Sequence, residues 1–332
     1  MHTFAFSRAT DIRQAVQDGA RASTAQQGAE VRFIAGGTTL VDLMKLDVEQ
    51  PAQVVDINHL PLDKVETMSD GRLKIGALVR NSDLAVSPEV QRSYTVLSQA
   101  LLSGASGQLR NMATTGGNLL QRTRCVYFRD THSACNKREP GSGCPAIDGY
   151  NRTLAILGVS PHCIATNPSD MNVALTALEA TIVIQGTKGE RSVAIDDFFL
   201  LPGDTPQRET VMEPGDLITH VLLPKPQQGV RSHYLKLRDR ASYEFALASA
   251  AVVIGMHDNK IATARIAMGG IGTRPWRSRD AEHVLAGQQP SAQLFDQAAQ
   301  ALLADAKPQR GNAFKRELAR RCLVQALTQV TA

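Results

Sequence analysis

No stretch of this sequence approaches the roughly 18 uncharged apolar residues from which a membrane-crossing helix is built. Its first residues, MHTFAFSRATDIRQAVQDGA, lack a basic segment running into a long apolar one. The first absence excludes a transmembrane span. The second leads us to expect no secretory signal of the chain's own, and folding in the cytoplasm. Charge of one sign is lacking too: 36 basic residues stand against 32 acidic ones, a formal net charge of +4 spread along the chain. Aromatic residues amount to only 5%. Without a basic face to neutralise phosphates or an aromatic supply for base stacking, no nucleic-acid partner is expected. Cysteine is rare, five in 332 residues, but unevenly placed: Cys125, Cys135, Cys144 and Cys163 crowd one stretch, and only Cys322 stands apart. In a cytoplasmic chain such crowding points to metal or redox chemistry before disulfides. Also missing are HExxH, a Ser-His-Asp order, paired carboxylates and a P-loop, so hydrolysis is not expected and no catalytic residue is assigned.

What is present is an ordinary globular composition, 43% apolar and 20% charged, in a chain long enough for two or three domains. Thr10 is placed to cap a helix with Ile12, Ala15 and Val16 on one face. VRFIA (31–35) and VVDI (54–57) read as short buried strands, and VETMSDGRLKIGAL as a hairpin turning at Asp70-Gly71. PEVQRSYTVLSQALLSGAS has helical spacing and ends at glycine. From 121 to 168 periodicity disappears, as in an inserted loop, and a loop that long is uncommon unless it is functional or tied down. Order resumes with a helix capped by Ser169 or Asp170, then TIVIQGTKGERSVAI as strand–turn–strand and DLITHVLL as a strand before a linker. Beyond about 228, two strand-rich stretches and three helical ones predict an antiparallel sheet with helices packed on one side. The last helix, KRELARRCLVQALTQV, is amphipathic, and its spacing buries Cys322 as a core thiol.

Two loops pair glycine with threonine. IAGGTTLVDLMK (34–45) joins a strand to a short helix, and GQLRNMATTGGNLLQ (107–121) repeats the style. Glycine lets the backbone approach a ligand without a Cβ clash, successive N–H groups form an anion-binding concavity, and the hydroxyls add donors. Together the loops suit a diphosphate, although each alone is compatible with a plain turn. GGIGT (269–273) leads into RPWR and reads as a structural turn.

The four clustered cysteines admit three readings. Disulfides need an oxidising compartment during folding. Structural zinc sites usually show close C-x2–4-C pairs, whereas the spacings here are nine, eight and eighteen intervening residues. An iron–sulfur cluster also takes four thiolates and tolerates irregular spacing. Charge supports the cluster, because a thiolate-held centre is net negative and Arg122, Arg124, Arg129, Lys137 and Arg138 surround the first two cysteines against only Asp130 and Glu139. Gly141 and Gly143 permit tight turns whose N–H groups can face sulfur. His132 and His162 stand beside cysteines as alternative ligands.

AGGTTL, QLRNMATTGGNL and PSDMNVALTALEA, in that order, resemble the FAD-binding subunits of the molybdenum hydroxylases, relatives of the FAD segment of xanthine dehydrogenase, aldehyde oxidase and carbon monoxide dehydrogenase. KLRDRASYEFALASAAV resembles the opening of that family's C-terminal domain, so the likeness covers nearly the whole chain. The resemblance implies an α+β fold. Its parts would be a two-subdomain FAD-binding domain of the PCMH, vanillyl-alcohol-oxidase-like type over 1–227, split near 58, and a C-terminal antiparallel sheet with helices over 228–332. It implies that Ile34, Ala35, Gly36, Gly37, Thr38, Thr39 and Leu40 wrap the FAD pyrophosphate, with Thr114, Gly117 and Asn118 as a second cradle and Ala105 also at the cofactor. Asp170 would bond the cofactor's hydroxyl-bearing chain, and Lys236 would stand near the flavin ring, where a cation favours the anionic reduced form. Tyr243 would lie close by. No histidine attachment signal is present, so the FAD is expected to be non-covalent.

Most members of the family lack the 121–168 insertion. The aldehyde oxidoreductase branch, and the β subunit of 4-hydroxybenzoyl-CoA reductase, carry there a four-cysteine loop holding a [4Fe–4S] cluster. By that likeness Cys125, Cys135, Cys144 and Cys163 are the ligands. The same likeness implies a heterotrimer with a large molybdopterin subunit and a small subunit bearing two [2Fe–2S] clusters, and an external electron acceptor. It also implies passage to the periplasm as the folded passenger of a Tat-signalled partner, the alternative being residence in the cytoplasm. A self-contained FAD-dependent oxidase or dehydrogenase, and a zinc-stapled non-catalytic scaffold subunit, are the competing functions.

Overall fold

In the computed structural model, which describes residues 1–332, three sheets follow one another along the chain. The first consists of β1 (Ala5–Arg8), β2 (Val31–Ile34) and β3 (Gln53–Asp56), all parallel, in the order β1-β3-β2. Parallel neighbours need crossovers. α1 (Ile12–Gly19) follows β1 and α2 (Leu40–Lys45) follows β2. α1 buries Ala15 and Val16 in a core with Val55, Ile57 and Leu217. Its cap is Asp11, not the expected Thr10. Asp11 Oδ1 accepts from the Gln14 amide at 2.8 Å, while the Thr10 hydroxyl donates to Gln14 Oε1 at 2.7 Å. A carboxylate at this end also complements the helix dipole.

The second sheet is antiparallel and opens with the expected hairpin of β4 (Val65–Thr67) and β5 (Leu73–Gly76). The chain then leaves it for α3 (Asn81–Val86), α4 (Pro88–Ser93), α5 (Thr95–Ser103), α6 (Gly107–Met112), α7 (Thr115–Leu119), α8 (Val126–Arg129) and α9 (Asp170–Ala177). It returns through β6 (Thr181–Gly186), β7 (Gly189–Ala194), α10 (Ile195–Phe198) and β8 (Leu217–Leu223), giving the order β4-β5-β8-β6-β7. The helical stretch after residue 87 is broken in two at Tyr94, whose φ is −136°. The buried Tyr94 hydroxyl donates to Pro224 O at 2.7 Å, a tertiary anchor that overrides local helix spacing. From 121 to 168 only α8 is regular.

The third sheet, β12-β11-β10-β9, comprises β9 (Val230–Leu237), β10 (Ala248–His257), β11 (Lys260–Gly269) and β12 (Trp276–Arg277), all antiparallel. α11 (Arg279–Leu285), α12 (Ala292–Leu302) and α13 (Phe314–Thr331) cover one face. The other face, which the sequence left open, is covered by α5 and α9. Period-two alternation explains the sharing: Ala251 and Val253 of β10 join the core of α5 and α9, while Ala250, Val252 and Ile254 join that of α12 and α13. A strand buried on both faces reads as a continuous apolar run, as this one does. Cys322 is fully buried in the second of these cores.

Candidate functional site

β2 ends at Ile34, and the chain turns through Gly36 and Gly37 into α2. Gly36 lies so close to the second glycine–threonine loop that a Cβ would stand 1.9 Å from Met112 O, and Gly37 has φ +71°. The turn leaves the N–H groups of Gly36, Gly37, Thr38 and Thr39 without any protein acceptor. Four successive free donors over a concave turn suit a diphosphate. All of Ile34 to Leu40 line a long cleft, and Thr114 and Gly117 line it from the opposite loop.

In that second loop the amide donors already have protein acceptors. Thr114 Oγ1 accepts from the Gly117 amide at 3.2 Å, and the amides of Thr115 and Gly116 donate to Val79 O and Ala77 O at 3.0 and 2.8 Å. Asn118 is not in the cleft lining. Its Oδ1 accepts at 2.7 Å from Ser169, the residue capping α9, whose own Oγ accepts from the Asn172 amide at 3.0 Å.

Asp170, Lys236 and Ala105 gather outside the cleft lining. The buried Asp170 carboxylate accepts from Tyr234 Oη at 2.6 Å and from Lys236 Nζ at 2.7 Å, and Lys236 also donates to Ser103 O at 3.1 Å. Ala105 takes a positive φ of 51° in the turn that follows. Burial and the Asp170 charge hold the Tyr234 hydroxyl well above its ordinary 10. Tyr234 is a residue the sequence reading missed; its signal was the two-residue spacing from Lys236, which puts both on one strand face. Tyr243 is 55% exposed and stands apart from the cleft lining.

Cys125, Cys135, Cys144 and Cys163 come together around one small apolar pocket with Phe128, Ala146 and Ala165. All four are free thiols, which excludes the disulfide reading in this structure. No group of three or more His, Cys, Asp or Glu side chains is preassembled as a single-ion site. A cluster is larger than one ion, and four convergent thiols of an apolar pocket are the donor set it takes. Burial pushes Cys125 up to about 12 and raises Cys144 and Cys163, with the neighbouring thiols adding to it. Bound iron would reverse that balance by taking the thiolate directly. The pocket is built from short local bonds: Asn136 Oδ1 accepts from the Gly143 amide at 2.8 Å, and Asn136 Nδ2 donates to His162 O at 3.0 Å. The Gly143 N–H therefore faces Asn136 and not sulfur. His132 is exposed and bonds Asp130, away from the pocket.

The basic shell around the cysteines is largely neutralised by acids the local sequence does not contain. Arg124 and Arg129 both pair with Asp42 of α2, at 3.0 and 2.9 Å. Arg122 pairs with Glu49 and Glu209, and Lys137 reaches Glu209 at 3.0 Å. Arg138 donates to the carbonyls of Tyr127 and Phe128 at 2.8 and 2.9 Å. The chain from Ala165 to Pro168 runs straight from the thiol pocket along the cleft wall to α9.

Residues 2–226 match the family described as the FAD binding domain in molybdopterin dehydrogenase, and residues 233–330 match the CO dehydrogenase flavoprotein C-terminal domain. The aldehyde oxidoreductase FAD-binding subunit PaoB of Escherichia coli (strain K12) is 50% identical over 312 residues, 94% of this chain and 95% of that protein. The glyceraldehyde dehydrogenase medium chain of Sulfolobus acidocaldarius is 27% identical over 332 residues, 98% of either chain. Among solved structures, carbon monoxide dehydrogenase from Hydrogenophaga pseudoflava aligns over 99% of this chain and 97% of that one with a TM-score of 0.77. At 24% identity that likeness is one of fold.

Proposed function

The chain belongs to the family of FAD-binding subunits of the molybdenum hydroxylases, and from that premise we propose that it is the electron-transfer subunit of a molybdenum-dependent aldehyde oxidoreductase. The observation that carries the reading is the run of four unpaired N–H groups, Gly36 to Thr39, on the wall of the cleft. These donors, with the Thr38 and Thr39 hydroxyls, would hold the pyrophosphate of a non-covalent FAD. Thr114 and Gly117 would close over it, and Ala105, Asn118, Asp170 and Lys236 would shape the remainder of the site. Cys125, Cys135, Cys144 and Cys163 would hold a [4Fe–4S] cluster. Support for this comes from their convergence on one apolar pocket, in a chain half identical to an aldehyde oxidoreductase FAD-binding subunit.

When bound, FAD and the cluster would supply electron storage and single-electron exchange with an external acceptor, while aldehyde oxidation belongs to the partners. Those partners are a large molybdopterin subunit and a small subunit with two [2Fe–2S] clusters, in a heterotrimer. This chain's residues bind and orient; none of them is assigned to bond-breaking. We retain 1–227 and 228–332 as the two domains, the first split near 58. No helix is long and apolar enough to cross a membrane. The proposed location is the periplasm, reached as the folded passenger of a Tat-signalled partner.

The purified chain is expected to carry about one FAD and about four irons with matching acid-labile sulfide. It should show no aldehyde turnover until its partners are added. Flavin without iron would remove the cluster from this reading, and aldehyde turnover by the chain alone would favour a self-contained dehydrogenase.

A further inference from the structure

The thiol pocket and the cleft share a wall, and that wall is charged. Lys137 and Cys163 line both cavities. The Lys137 side chain is only 8% exposed; its Nζ lies 3.0 Å from Glu209 Oε1 and donates to Pro206 O at 2.9 Å. Glu209 also pairs with Arg122, which lies 4.8 Å over the ring of Phe128, a residue of the thiol pocket. Arg122 reaches Glu49 Oε1 at 2.6 Å, and Glu49 is shared with Arg32 at 2.8 Å. Three cations and two anions thus alternate from the thiols to the cleft. Apolar side chains would close such a partition at lower cost in desolvation, so the charges themselves call for an explanation.

Building on the cluster reading, we propose that Lys137 is a positioning residue that sets the reduction potential of the centre held by the four cysteines, with Glu209 as its counterweight. One electron added to a thiolate-held centre adds one negative charge. A cation in a partly desolvated wall stabilises that reduced form, and an anion beside it does the reverse. Glu209 also fixes the ammonium in place, so the pair supplies position and field together.

The test is a potentiometric titration of the cluster's electron paramagnetic resonance signal in the assembled enzyme. Dithionite serves as reductant, and iron and sulfide are measured on the same samples. Lys137→Met is expected to keep its iron and titrate lower, and Glu209→Gln to titrate higher. Each variant should shift the oxidised-to-reduced ratio at fixed potential about tenfold, or 59 mV for one electron. Lys137→Arg keeps the charge and should titrate near the unaltered protein. Unchanged potentials in iron-loaded Lys137→Met and Glu209→Gln would overturn the proposal. If Lys137→Met sheds its iron, Glu209→Gln decides: an upward shift supports the proposal and its absence overturns it. Iron lost from both overturns it in favour of a purely structural tie. An unaltered protein without iron sinks the cluster reading itself, and is told apart because no signal exists to titrate.

Discussion

Replacing Gly36 by alanine would put a methyl group 1.9 Å from the Met112 carbonyl oxygen and 2.6 Å from its carbon, backbone atoms that cannot step aside as a side chain can. Overpacking of this kind costs about 1–3 kcal/mol, and it falls on the two loops that form the cleft. Gly36→Ala is expected to lose flavin affinity about tenfold or more, equivalent to ~1.4 kcal/mol, read as flavin absorbance per chain after gel filtration. Retention unchanged would show that this turn is not the cradle. The buried pair of Lys236 and Asp170 gives a second residue-level expectation. Lys236→Met leaves a carboxylate partly uncompensated beside Tyr234, and urea unfolding should show a loss of about 3–5 kcal/mol, with Asp170→Asn in the same chain recovering part of it. The glycines and threonines of the cleft were legible in the sequence because a tight turn writes its requirement into adjacent residues. Asp42, Glu49 and Glu209 were not legible as partners of the cysteine loop, since nothing local marks an acid that folding brings from a distant segment.

Among the elements, the 121–168 insertion has almost no regular structure of its own. Its core is Phe128, Leu154, Ile164 and the cysteines, packed with Leu43 and Val48 from near α2. Cys144→Ser is therefore expected to cut iron from about four per chain to a small fraction, while Cys322→Ser leaves iron unchanged. The latter variant costs stability alone, about 1–3 kcal/mol for a buried hydroxyl, and iron analysis beside thermal melting separates the two. α9 carries a further consequence: Ser169 caps it and also holds Asn118. The amphipathic and alternating elements were readable, as was the loop's lack of periodicity. The break at Tyr94 and the covering of the third sheet by α5 and α9 were not, because both depend on packing between distant segments. GGIGT read as a turn, and it is one, but it does more. Thr273 lines the cleft and donates to Gly158 O at 2.9 Å, while Gly272 O accepts from the Asn167 amide at 3.1 Å.

For the whole molecule, Lys315 is one of the residues that tie the insertion to the C-terminal domain. It is fully buried, and its Nζ donates to Thr153 O and Leu154 O at 2.9 Å and to Gly270 O at 2.6 Å. Burial, with Arg152 adding to it, pulls its pKa from 10.5 down to about 7. Between those values the folded chain binds fewer protons at this site than the unfolded one. Its contribution to stability therefore rises with pH across that window and is flat below it. The stability of the unaltered protein relative to Lys315→Met is expected to increase from about pH 7 to about pH 10, measured by denaturant unfolding at each pH. A constant difference would contradict this.

The acids that neutralise the cysteine loop have a bearing on how such a loop is inherited. Asp42 and Glu49 come from one side of it in the sequence and Glu209 from the other. On a host without acids at the places of Asp42, Glu49 and Glu209, residues 121–168 grafted alone would bring arginines and a lysine with no partners, so the insertion is not electrostatically self-sufficient.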